Sequence, residues 1–147
     1  MLTGSVDGGD HADKIARVLK DAGDDELERA VERQVDQATR RMAADAKAAA
    51  KKLPGGLAKR VAGSKIVAHR RGDRVTITAT GMHQLGLIDT GKVMHPVFGN
   101  GDVWATQSIT AGWFSDPMDD GRDNVKRAVD DGLDDAAHTL ARKLDQR

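Results

Sequence analysis

The 147-residue chain contains no cysteine, which excludes disulfides, thiolate metal sites and a cysteine nucleophile. Large apolar side chains are scarce. Leu, Ile, Val and Phe total 29, just under the ~20% of a chain at which sequences start to look disordered. Ala supplies 21 of the apolar residues. The other mark of disorder, high net charge, is missing, because 23 Lys and Arg balance 23 Asp and Glu. The composition predicts a single folded domain over residues 1–147 with a thin core. A core of that kind looks to an oligomer or another partner surface for extra burial.

Other absences narrow the class. Met1–Asp10 has neither a basic nor an apolar segment, so no signal peptide is expected there. Val103–Ser115 is free of charge but too short and too polar for a membrane span, and no membrane partner is expected. Zero net charge argues against a generic nucleic-acid-binding domain. The charge is nonetheless segregated. Residues 1–36 carry 10 acids and 5 bases, residues 37–74 carry 2 acids and 11 bases, and residues 115–147 carry 9 acids and 6 bases. Acidic ends and a basic middle can complement one another between copies, although charges on solvated helix faces contribute little.

Along the chain, residues 1–9 are Gly-rich and expected to be flexible. Residues 10–53 are expected to be helical. A short helix over Asp10–Ala22 is broken by Gly23, and a long one runs from an Asp24 cap to Leu53. The long helix carries apolar residues at Leu27, Val31, Val35, Ala38, Met42, Ala46, Ala49 and Leu53, and Pro54–Gly55–Gly56 stops it. Its many Ala residues let a second backbone come close, so the stripe is expected to lie against a sheet or a helix. From Ser64 the period changes to two. Ser64–Arg70 and Arg74–Thr80 predict a hairpin, Val93–Phe98 a strand in which Pro96 implies an edge or a strand start, and Val103–Ile109 a further strand after a Gly99–Asp102 turn. The sheet region thus spans 64–109. A C-terminal helix is expected over 116–144, with Ser115 or Asp116 as its cap and Pro117 opening it. Gly132 within that helix implies a close neighbour. The fold class is α+β: a small, mostly antiparallel sheet packed by a long N-terminal and a C-terminal helix.

A search for chemistry yields no catalytic set, cofactor motif or metal site. The five histidines form no metal-ligand spacing. No phosphate loop, dinucleotide fingerprint or nucleophile elbow is present. His95 with Asp89 or Asp102 is a weak basis for a hydrolase, since the middle of the chain holds only Asp73, Asp89 and Asp102 as carboxylates. The sequence does not predict an enzyme.

The aromatics say more. All four, Phe98, Trp104, Trp113 and Phe114, fall within 17 residues. Trp104 on its strand is expected to belong to the local core. Trp113 and Phe114 are adjacent and follow the pair Ala111–Gly112, so one ring or the other is expected to reach a neighbouring subunit or partner. Arg70, Arg71 and Arg74 flank the basic hairpin's turn, where they could face acidic helices of another copy or DNA.

The pattern His95-Pro96, Phe98-Gly99-Asn100, Trp104, Gln107 and Gly112-Trp113-Phe114, followed by an acidic helix, resembles neck proteins of long-tailed bacteriophages. The family is the head–tail joining or tail-completion type, with tail terminators and minor tail proteins among its related folds. The long Ala- and charge-rich helix, the Leu53–Leu57 break and the basic hairpin agree, so the resemblance covers Asp24 to Leu144. It implies a structural virion protein without catalytic residues, assembled in the host cytoplasm and located in the virion neck. It also implies a homo-oligomeric ring, commonly a hexamer, contacting the tail tube protein and a connector or stopper protein, with DNA passing through unread. The subunit or tail contacts would fall to His95, Phe98, Trp113 and Phe114, and the lumen or subunit electrostatics to Arg70, Arg71 and Arg74. The alternative is a nucleic-acid-binding or toxin–antitoxin-type regulatory protein that uses the basic hairpin.

Overall fold

A computed structural model describes residues 1–7, 25–71 and 74–146. The expected helix over Asp10–Ala22 and the Asp24 cap lie outside these residues. Helix α1 spans Asp25–Ala50. Its stripe buries Val31, Met42, Ala46 and Ala50, with Leu53 just beyond the helix. At the C-terminal end the N–H groups of Lys52 and Leu53 turn to the carbonyls of Ala49 and Ala50, at 3.0 and 3.2 Å. This i→i+3 tightening satisfies the last carbonyls before Pro54 makes continuation impossible.

A short helix α2, Gly56–Ala62, follows and buries Val61. Strands β2 (Lys65–Arg71) and β3 (Arg74–Thr80) form the expected antiparallel hairpin. Val75, Ile77 and Ala79 alternate inward on β3. The opening segment departs from expectation. Leu2–Asp7 is not loose; it forms strand β1 and pairs antiparallel with β3 from Leu2↔Ala79 to Asp7↔Arg74. The three-stranded order is therefore β1-β3-β2, with β3 central. Leu-Thr-Gly-Ser-Val-Asp has too few apolar residues to alternate convincingly. Its pairing is set by the open edge of β3, a tertiary cause. Gly4 is required there, because a Cβ would stand 2.8 Å from Met118 Cγ.

Helix α3, Leu85–Asp89, buries Leu85 and Ile88. The strands β4 (Lys92–Val97) and β5 (Asn100–Ser108) then pair only with each other, as a separate two-stranded ribbon. Helix α4 spans Ser115–Asp145. It starts slightly earlier than expected, so Pro117 falls within its first turn, where a missing N–H costs nothing.

The two long helices pack antiparallel. A Cβ at Gly132 would meet Val31 Cγ2 at 3.4 Å, and one at Gly121 would overlap Met42, with Sδ and Cε at 2.8 Å. Moving back eleven residues on α4 thus corresponds to moving forward eleven on α1. Eleven residues is about three turns at ~3.6 residues each, so both glycines share one face. The main core joins Met42, Ala46, Val61, Ile77, Leu85 and Val125 between the helices and the three-stranded sheet. A smaller cluster of Val31, Val129 and Ala136 joins the far ends of the helix pair.

Candidate interaction surface

Of the side chains on β4 and β5, only that of Val93 is buried. The ribbon's turn is tighter than the sequence suggests. Val97 faces Asn100, and the two residues between them, Phe98 (φ 36°) and Gly99 (φ 75°), both lie in the left-handed region. This is what a two-residue hairpin with the favoured twist demands, and Asn-Gly or Gly-Gly would supply it most cheaply. Phe98 supplies it at a conformational cost. Beyond the turn Pro96 pairs with Trp104, whereas the next residue, Val97, pairs with Asn100. Gly101–Val103 are therefore extra on β5 and bulge out. The Asp102 N–H donates to Asn100 Oδ1 at 3.1 Å and shapes this bulge.

The strand period sorts the side chains. Met94, Pro96, Thr106 and Trp104 share one face, and Val93, His95, Ala105 and Gln107 the other. Trp104 is 53% exposed, Met94 41%, Val103 50%, and Phe98 fully so. Pro96 and His95 are also exposed. The His95 ring Nδ1 lies 3.2 Å from the Pro96 carbonyl. An exposed apolar stripe thus runs up one face of the ribbon to its tip.

The base is tied to the rest of the fold. Val93 is buried, the Met94 N–H donates to Gln84 Oε1 at 3.3 Å, and the Ile109 N–H donates to the Gly91 carbonyl at 2.9 Å. Gly91, at φ 82°, permits this approach, because a Cβ would stand 2.9 Å from the Ile109 oxygen. Beside the base opens a cleft of about 720 Å³. Leu57, Met82, Val93 and Ile109 form its apolar walls, and Arg60, His83 and His95 bring basic groups to it.

The structure reverses the expected roles of the tryptophans. Trp113 and Phe114 are both buried, edge to face with ring centroids 5.5 Å apart. Neither is available to a partner, and Trp104 is not a core residue. The expectation that adjacent rings must point apart holds for a strand. Here the pair forms the turn just before α4, where no strand alternation sends the second ring to the opposite face. The linker is also sewn down. The Gly112 N–H donates to the Asp89 carbonyl at 2.8 Å, and Asp89 Oδ1 accepts the N–H groups of Phe114 and Ser115. Asp89 is therefore the cap of α4, a role that no local motif announces. Among the described residues, Trp113 Nε1 is a buried donor without an acceptor.

Arg71 lies opposite Arg74 at the turn end of the β2–β3 hairpin. Arg74 is exposed, and the side chains of Arg70 and Arg71 lie outside the described residues. The interface residues of the sequence reading thus separate: His95 and Phe98 belong to the ribbon, Trp113 and Phe114 to the core. Trp104, Met94 and Val103 are the ribbon residues it did not include. Among the described residues no three His, Asp or Glu side chains converge as a metal site, and no helix is long and apolar enough to cross a membrane. The chain matches no family model, and neither curated proteins nor solved structures give a significant match.

Proposed function

We propose that the chain is a structural subunit of a bacteriophage neck, assembling into a ring between the capsid connector and the tail tube. The observation that supports assembly into a ring is the β4–β5 ribbon, which holds Met94, Val103, Trp104 and Phe98 in solvent. Two-stranded ribbons are marginal by themselves, so one with an apolar stripe and a turn residue at φ 36° is costly to maintain in a monomer. Burying such residues against another chain recovers ~1.5–3 kcal/mol for each large side chain. The thin core and the segregated charge fit the same economy, in which neighbours complete the stability of each subunit. The neck assignment rests on the sequence resemblance. Deleting the gene from its phage tests it: filled heads and separate tails should accumulate, and added protein should join them. Normal yields of joined virions without the chain would refute it.

A further inference from the structure

The ribbon carries a projecting ring at one end and a cleft at the other. Phe98 at the tip is fully exposed, and the cleft at the base has room to spare. The cleft measures about 720 Å³ and is open to solvent, so an aromatic side chain can enter it from outside. Leu57 and Met82 line it, and a methionine adapts readily to an aromatic edge. The two features cannot meet within one chain. Val93 at the base and Phe98 at the tip are five residues apart on the same ribbon, or ~16 Å at 3.3 Å per residue.

Charge points the same way. Asp102 is the charged residue of the bulge, and it is exposed. Among the described residues no carboxylate lines the cleft, and Arg60 does. Among the described residues, neither Asp102 nor Arg60 has an ion-pair partner.

We propose that the ribbon tip of one copy seats in the ribbon-base cleft of the next, with Phe98 as the buried anchor and Asp102 facing Arg60. The inference rests on the ring reading above and supplies its contact. Because knob and hole are different surfaces, the contact is heterologous, and repetition closes a ring when the rotation per subunit permits.

The absence of native cysteine makes the test clean. Gly101→Cys beside the tip and His83→Cys in the cleft, which keep the Phe98 anchor and the apolar walls, are mixed and treated with a short bifunctional thiol cross-linker. Covalent heterodimers are expected from the mixture, and a ladder of oligomers from the double variant. Efficient cross-linking of Gly101→Cys to itself would overturn the proposal in favour of a tip-to-tip dimer. No cross-link, with wild-type protein still sedimenting as an oligomer, would overturn the contact and leave the ring reading standing. No cross-link with wild-type monomers at all concentrations would defeat both. Asp102→Lys should weaken association at least tenfold, and adding Arg60→Asp should restore most of it. Failure of that rescue would remove the Asp102–Arg60 pairing.

Discussion

The carboxylate of Asp89 accepts the backbone N–H groups of Phe114 and Ser115 at 2.8 and 3.1 Å, capping α4 from a position 25 residues before Phe114. A cap satisfies otherwise orphaned donors and places negative charge at the positive end of the helix. Asp89→Ala should cost ~1–2 kcal/mol, seen as a melting temperature lower by about 3–6 °C. Asp89→Asn keeps an acceptor and should lose less. Equal losses would show that Asp89 acts through something other than the cap.

Ala46 is fully buried on α1, within the main core. Ala46→Asp places an uncompensated charge there and should destabilise by several kcal/mol, on the order of 3–5. Urea unfolding measures this directly. A midpoint close to wild type would mean that the stripe is not the packing face.

The two glycines on α4 should behave oppositely. A Cβ at Gly132 makes ordinary contact with Val31 Cγ2 at 3.4 Å. Gly132→Ala should therefore be neutral or stabilise by up to ~1 kcal/mol through helix propensity. At Gly121 the new methyl overlaps the buried Met42 side chain. Gly121→Ala should lose ~1–3 kcal/mol to overpacking, partly offset by the same propensity gain. Parallel thermal melts would check the opposite signs.

Trp113→Ala removes a core ring and should cost ~3–5 kcal/mol of stability. Trp104→Ala should leave the unfolding midpoint of the monomer within about 0.5 kcal/mol of wild type and weaken self-association by ~2 kcal/mol or more, as interface anchors do. The chain has only these two tryptophans, so fluorescence of the single variants separates them. Emission from Trp113 should be blue-shifted in the monomer, and that from Trp104 should shift blue only on assembly.

Elements that carry their own signal were legible in the sequence. The period of α1, the β-branched run of β3 and the stripe of α4 all rest on local pattern, and they yield an α+β fold. Elements dictated by distant partners were not. β1 exists because β3 has an open edge, and α4 is capped by a residue outside its own neighbourhood. The aromatic reading failed for a related reason. Whether Trp104 or Trp113 is buried depends on whether the strands after Gly91 join the main sheet or stand apart as a ribbon, and strand period alone does not decide that. Pro96 pointed to an edge or a strand start, and the first holds, since in a two-stranded ribbon both strands are edges.

The central claim, that the ribbon is the surface through which copies associate, is tested most directly by sedimentation velocity. Wild-type protein and the double variant Phe98→Ala, Trp104→Ala would be compared over a concentration series, with negative-stain images of each fraction. The wild type should form a discrete ring-shaped oligomer. The double variant should remain a monomer with an unchanged circular dichroism spectrum. Rings formed equally well by both proteins, or a wild type that stays monomeric throughout the series, would contradict the account.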